Sequence, residues 1–353
     1  MNGTGEGAGV KTRPSQAGRF SRPGLRRVAI AGLATYVPPR LLTNADLEKF
    51  VETSDEWIQQ RTGIRERHIV DPGVATSDLA REASLMAIEQ AGIRPQDIDF
   101  IVVGTTTPDM MFPSTACLLQ HKIGAAKAWG FDLGAACSGF TYSLATAAHL
   151  VAGGMAEHAL VVGADVMSSI LDYTDRTTCV LFGDGAGAVV LSPSSDTEFG
   201  ILDFDAEVDG SGGPALCMPA GGSLRPASQE TVQQRLHYVK QDGQTVFRFA
   251  VRKTEEMCGR MLARNGLTSA DIDLFVSHQA NRRIIQSAAA RLGFPEEKVV
   301  INIDRFGNTT AATIPLALND AVKDGRLRRG SLVLCTSVGA GFTVGSLLLR
   351  WSI

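Results

Sequence analysis

The feature that most restricts the fold of this chain is that it contains the same segment twice. Ala91-Gly92-Ile93-Arg94-Pro95-Gln96-Asp97-Ile98-Asp99 runs into Phe100-Ile101-Val102-Val103-Gly104. Asn265-Gly266-Leu267-Thr268-Ser269-Ala270-Asp271-Ile272-Asp273 runs into Leu274-Phe275-Val276-Ser277-His278. Each copy reads as an amphipathic helix, a Gly C-cap and a short apolar strand. A second match follows in each half. The strand Trp129 to Leu133 leads to Ala136-Cys137-Ser138-Gly139 and a helix ending near Gly154. Val299 to Ile303 leads to Gly307-Asn308-Thr309-Thr310 and a helix ending near Gly325. Two copies of one unit imply a pseudo-twofold axis. Cys137 and Asn308 then fall at matching helix starts, and His278 falls where Gly104 does. Residues far apart in sequence meet at the seam.

The remaining pattern fits such a unit. Short runs rich in Val, Ile and Leu recur at Val28 to Gly32, Phe100 to Val103, Leu160 to Gly163, Ala188 to Leu191, Leu274 to Val276, Leu332 to Leu334 and Ser346 to Leu349. Unbroken runs of this kind are strands buried on both faces. Helical patterns such as Ser77 to Ala91 and Ala250 to Asn265 lie between them. The class is α/β, with helices layered around sheet. Residues 1–26 have little to bury and read as a disordered tail. Residues 27–197 and 198–353 read as the two halves.

Composition removes several function classes. The chain has 353 residues, with 34 Lys+Arg against 37 Asp+Glu and a formal charge of −3. That balance lacks the cation surplus of a nucleic-acid binder. No apolar run is long enough to span a membrane, and the N-terminus has no secretory h-region. A cytoplasmic protein is expected. The six cysteines are widely spaced, without a CxxC pair or a zinc-type Cys/His cluster, so reduced thiols and no metal are expected. Gly183-Asp184-Gly185-Ala186-Gly187 precedes a strand, whereas a dinucleotide-binding loop follows one. No phosphate-cradling GxxxxGK[ST] loop is present.

Three residues stand out by context. Cys137 lies among small residues at the start of a helix, where the dipole would lower a thiol pKa. A buried apolar filler is the plainer reading of any cysteine. His278 ends an apolar strand and precedes a polar turn, and a structural histidine fits that place as well. Asn308, taken alone, is an N-cap. Ser337-Val338-Gly339-Ala340-Gly341-Phe342 either presents backbone N–H groups to an oxyanion or simply turns between strands.

Taken in order, the motifs are specific. Asn44-Ala45-Asp46-Leu47-Glu48, Thr53-Ser54-Asp55-Glu56-Trp57-Ile58, Arg61-Thr62-Gly63-Ile64-Arg65-Glu66-Arg67, Cys137-Ser138-Gly139-Phe140-Thr141-Tyr142, Asp175-Arg176, Phe182-Gly183-Asp184-Gly185-Ala186-Gly187, His278-Gln279-Ala280-Asn281 and Gly307-Asn308-Thr309 resemble the β-ketoacyl-acyl carrier protein synthase III family. The match runs from about residue 27 to 353. The resemblance implies a thiolase-like αβαβα sandwich of two pseudo-symmetric halves. It implies a decarboxylating Claisen condensation that starts type II fatty-acid synthesis. An acyl-CoA, typically acetyl-CoA, would acylate Cys137, and malonyl-acyl carrier protein would supply the carbanion.

By the same resemblance, His278 and Asn308 would stabilise the enolate, and the amides of Cys137 and Ala340 would form an oxyanion hole. Many members carry glycine where Ala340 stands. Trp57 and Arg176 would sandwich the adenine, Arg61 would reach a phosphate and Asn281 the pantetheine. Gly243 and Phe247 would line the tunnel, and Arg248, Arg282 and Arg283 would dock the acidic carrier protein. The family is dimeric, and Phe112 would cross from the partner to floor the acyl pocket. No cofactor beyond the CoA thioester substrate is implied. Rival readings are a condensing enzyme of secondary metabolism with another primer, a Cys-His-Asn hydrolase, and a non-catalytic carrier-binding module. The papain-type CGSCW segment is absent, and a decayed binder usually loses its thiol.

Overall fold

The computed structural model describes residues 24–353. The tail expected for residues 1–26 therefore lies, up to residue 23, outside the described residues. Nine strands build two main sheets. The first holds β1 (Arg27–Tyr36), β2 (Phe100–Gly104), β3 (Trp129–Leu133), β4 (Ala159–Asp165) and β5 (Gly185–Ser194), in the order β1-β5-β4-β2-β3. The second holds β6 (Gly200–Val208), β7 (Leu274–Ser277), β8 (Leu332–Gly339) and β9 (Thr343–Arg350), in the order β7-β8-β9-β6. In the first sheet β2 runs parallel to β3 and β4, and β5 runs antiparallel to β4 and β1; in the second β7 runs parallel to β8, and β9 runs antiparallel to β8 and β6.

The longer helices are α1 (Asp55–Thr62), α2 (Thr76–Gln90), α3 (Thr115–Ile123), α4 (Gly139–Ala152), α5 (Gly243–Arg264), α6 (Arg282–Leu292) and α7 (Thr313–Lys323). Helices α4 and α7 lie between the sheets. Phe140, Leu144, Ile314 and Leu318 join Val102, Val161, Val276 and Val333 in one buried cluster there. Helices α2 and α3 cover the outer face of the first sheet through Leu79, Ala83 and Leu119. Helices α5 and α6 cover the second through Cys258, Met261 and Ile285. The result is an αβαβα stack, because strands buried on both faces need a helix layer on each.

The structure refines the repeat. Gly104 and His278 do occupy matching strand ends. The same register pairs Ala136 with Thr310, because each is a non-glycine residue at positive φ (47° and 49°). Each opens a 3-10 turn, Ala136–Ser138 and Thr310–Ala312, and each turn feeds a central helix. Cys137 is therefore matched by Ala311, not by Asn308. Asn308 sits just ahead of the matched turn.

A second difference concerns Val299 to Ile303, expected as a strand like Trp129 to Leu133. Only a bridge from Val299 to Phe275 forms, and Ile303–Phe306 is a short helix. The buried Gln279 carboxamide donates to the Val300 carbonyl at 3.0 Å and accepts from Asn302 N at 3.0 Å. It takes the hydrogen-bonding groups that a ladder would need.

Candidate active site

A cavity of about 530 Å³ runs between the halves. Its buried end is formed by Cys137, Phe182, His278, Asn308, Gly339 and Phe342. Its rim is formed by the exposed Arg176, Gly243, Gln244 and Arg283. Each of the three polar groups at the buried end is held by the element that carries it.

Cys137 lies in the 3-10 turn ahead of α4. Burial pushes its thiol up to about 12, and the Asp165 carboxylate adds to the shift. The expectation that a helix start would lower this pKa fails in the resting molecule, because loss of water outweighs the dipole. Gly339 passes beside the turn. A Cβ built there would stand 2.8 Å from Cys137 N and 2.7 Å from Thr343 Oγ1. Only glycine leaves the nucleophile's amide this open.

His278 is fixed at the end of β7, where its N–H donates to Thr336 O at 2.8 Å. Its ring Nδ1 lies 2.7 Å from Thr313 Oγ1. Desolvation lowers its pKa to about 3, so the imidazole is neutral. The thiol and imidazole thus rest uncharged, unlike the thiolate–imidazolium pair of a cysteine hydrolase.

Asn308 is pinned on both sides. Its N–H donates to Leu181 O at 2.9 Å, and its carbonyl accepts from Gly183 N at 3.1 Å. Its side-chain Oδ1 accepts from Thr310 N at 2.9 Å. That bond fixes the amide orientation and leaves Nδ2 to donate into the cavity. The Gly183 segment is therefore a scaffold. A Cβ at Gly183 would meet Phe306 O at 2.4 Å, and buried Asp184 accepts from Val70 N and Ser168 N, each at 2.8 Å.

The rim is built from α1 and α6. Ser54 caps α1 by accepting from Trp57 N, and Gly63 ends it at φ 84°. A Cβ at Gly63 would stand 2.6 Å from Arg282 Cβ, so the glycine lets the two helices touch. The Arg176 and Arg61 guanidiniums lie 5.6 and 6.0 Å from the Trp57 ring centre. Asn281 caps α6 through Arg283 N and donates to Arg61 O at 2.9 Å. Phe247 lines the wall with Arg283 over its ring at 5.6 Å.

Four expected residues lie off the cavity wall. Arg248 is exposed, and the stem of Arg282 is packed on Gly63. Ala340 sits in the turn beyond Gly339, where its carbonyl accepts from Thr343 Oγ1 at 3.3 Å. Phe112 is 84% exposed in the single chain.

Sequence reasoning passed over Asp165 and Thr313. Asp165 is fully buried in the first half. One of its oxygens accepts from Thr310 Oγ1 and from Ala311 N, the latter at 3.2 Å; the other accepts from Thr105, Thr106 and Thr107. Its counterpart in the repeat is Gly339. A carboxylate thus fills, beside Ala311 N, the space that lies open beside Cys137 N.

Comparisons with known proteins give the family. Residues 131–210 match the profile of 3-oxoacyl-[acyl-carrier-protein (ACP)] synthase III, and residues 262–351 match its C-terminal profile. A beta-ketoacyl-[acyl-carrier-protein] synthase III of Koribacter versatilis is 57% identical over 93% of this chain and 99% of its own length. This chain belongs to the beta-ketoacyl-[acyl-carrier-protein] synthase III family. Another synthase III, from Solibacter usitatus, is also 57% identical, over 92% of the chain and 99% of its own length. The crystal structure of the synthase III from Pseudomonas aeruginosa PAO1 superposes with a TM-score of 0.86 at 40% identity, over 93% of this chain and 99% of that one. The synthase III fold and the α/β sandwich read from sequence are the same architecture.

Proposed function

We propose that this protein condenses an acyl-CoA primer, acetyl-CoA by preference, with malonyl-acyl carrier protein to give 3-oxoacyl-acyl carrier protein. The observation that carries the proposal is the convergence of Cys137, His278 and Asn308 at the buried end of one cavity whose outer wall holds Trp57, Arg61 and Arg176. The adenine would insert between Trp57 and Arg176, with Arg61 toward a phosphate. Asn281, Gly243 and Phe247 lie along the path of the pantetheine. Arg248 and Arg283 are exposed beside that path and suit an acidic carrier protein. Arg282 contributes charge from behind them.

In the first step Cys137 Sγ bonds to the thioester carbon and the carbon–sulfur bond to CoA breaks. The thiol proton ends on the CoA sulfur, so the exchange needs no permanent thiolate. A thiolate of high pKa is scarce but more nucleophilic. The oxyanion forms beside Cys137 N, in the space Gly339 leaves, with the Ala340 amide as the second donor. In the second step the bond from malonyl C2 to its carboxylate breaks and carbon dioxide leaves. The electron pair forms an enolate that His278 Nε2–H and Asn308 Nδ2–H stabilise. The carbanion attacks the acyl carbon, and the Cys137 sulfur leaves as a thiolate and takes a proton from water. No step calls for a cofactor.

We further propose a cytoplasmic homodimer. No helix among the described residues is long and apolar enough to cross a membrane. Edge strand β3 exposes Trp129 and Phe131, and the nearby Phe112 is also exposed. A partner's copy of Phe112 would close the acyl pocket.

The test is intact-protein mass spectrometry after incubation with acetyl-CoA, followed by malonyl-acyl carrier protein. An acetyl adduct on Cys137 that is discharged with release of carbon dioxide is expected. An adduct on another cysteine, or a stable adduct that malonyl-acyl carrier protein does not discharge, overturns the proposal.

A further inference from the structure

We propose that Thr313 is a positioning residue: its hydroxyl donates to His278 Nδ1 and so keeps the imidazole proton on Nε2, the nitrogen left for the cavity. This rests on the reading of His278 as a hydrogen-bond donor to the enolate.

The argument is a count of protons. A threonine hydroxyl has one to donate. Two acceptors lie in reach of Thr313 Oγ1: His278 Nδ1 at 2.7 Å and Thr310 O at 3.1 Å. If the proton goes to Thr310 O, Nδ1 must carry the ring proton and donate to Oγ1. Nε2 would then present a lone pair to a developing enolate and repel it. If the proton goes to Nδ1, Nε2 carries the ring proton and donates. The Thr310 carbonyl already accepts from the Thr313 backbone N–H. It does not need the hydroxyl, and Nδ1 is the nearer acceptor.

Nothing else sets the tautomer. Thr313 is the only hydrogen-bond partner of the His278 ring among the described residues, and no charged group contributes to holding the ring neutral. The donor is well fixed. Thr313 is 1% exposed, and as a β-branched residue at the start of α7 it has few rotamers. The turn before it is anchored from the other half of the molecule, where Asp165 accepts from Thr310 Oγ1 and Ala311 N. That same turn holds Asn308 through Thr310 N. One short segment therefore orients both groups that face the enolate. The ring transfers no proton during decarboxylation; it donates a hydrogen bond to the thioester oxygen while the carbon–carbon electrons move there.

The test uses the full-length protein with ¹⁵N-labelled histidine, in Thr313→Val and Thr313→Ser variants. Nitrogen shifts report which ring nitrogen carries the proton, without reference to any reaction. Wild type and Thr313→Ser should show the Nε2–H form, and Thr313→Val should lose that bias. The decarboxylation rate of malonyl-acyl carrier protein should fall by about 100-fold in Thr313→Val, the scale of losing one oxyanion donor. It should recover in Thr313→Ser, and acylation of Cys137 should change little in either. An Nδ1–H form in the wild type overturns the inference, as does full decarboxylation by a folded Thr313→Val. Should Thr313→Val not fold, the tautomer in wild type and Thr313→Ser decides alone. A wild type that shows the Nε2–H form but does not decarboxylate malonyl-acyl carrier protein would instead overturn the proposed function.

Discussion

The buried groups of this site are uncharged at rest, and two measurements follow from that. Burial raises the Cys137 thiol to about 12, with Asp165 as the next cause. Cys117 is exposed. Iodoacetamide at pH 8 should therefore label Cys117 well before Cys137, and Cys137 labelling should still be climbing above pH 9. Asp165→Asn removes the nearby negative charge, and its Cys137 alkylation profile should move to lower pH. An unmoved profile in a folded Asp165→Asn would show that the carboxylate does not reach the thiol electrostatically. For His278 the sign runs through the unfolded chain. Its pKa is about 3 when folded and 6.5 in the free side chain. Between these values the unfolded state binds a proton that the native state refuses, so stability falls as pH drops from 6.5 toward 3. His278→Gln should flatten the decline of Tm between pH 7 and pH 5 relative to wild type. Equal slopes would mean that the imidazole is not held neutral.

At the scale of elements, the rim depends on how closely α1 approaches α6. Gly63 supplies both the positive φ that ends α1 and the space for Arg282. Gly63→Ala meets both obstacles and should destabilise the protein by about 1–3 kcal/mol. Because α1 carries Trp57 and Arg61, KM for acyl-CoA should rise more than kcat falls in the malonyl step; an unchanged Tm and KM would refute the packing account. Eight of the nine strands are legible in sequence as short apolar runs, but β6 is not, because Asp203 and Asp205 interrupt its apolar residues. Helix α5 began earlier than the expected Ala250, because the Asp242 carboxylate caps it at Gln244 N and Thr245 N. Val299 to Ile303 departs from the strand its apolar run predicts, because the Gln279 side chain takes the place of a ladder, which periodicity cannot show. Cys137, His278 and Asn308 were legible through motif order. Thr313 and Asp165 were not, because a threonine in a Thr-rich turn and one aspartate on an apolar strand look ordinary until the fold brings them together. The Cys137 thiol is raised rather than lowered because burial, a tertiary property, outweighs the local helix dipole.

At the scale of the whole molecule, the duplication leaves one of two matched helix-start amides open and fills the space beside the other. Beside Ala311 N the space is filled by the Asp165 carboxylate; beside Cys137 N it is left open by Gly339. The second sheet also lacks a full fifth strand, since Val299 makes only a bridge. The first sheet completes that position with β3 and leaves it at the edge, with Trp129 48% and Phe131 36% exposed. An edge strand bearing aromatic side chains invites pairing with another chain. Among the described residues only the first sheet offers such an edge, so pairing through it closes at two copies rather than propagating. Phe131→Lys places a charge on that edge without touching the cavity lining. On the homodimer proposed above, sedimentation should shift from dimer to monomer, and condensation should fall with it, because the proposed insertion of Phe112 into a neighbour's acyl pocket would be lost. Restored activity at high protein concentration would tie the loss to assembly. A Phe131→Lys protein that remains dimeric with full activity would place the interface elsewhere, and a monomer with full activity would show that each chain closes its own pocket.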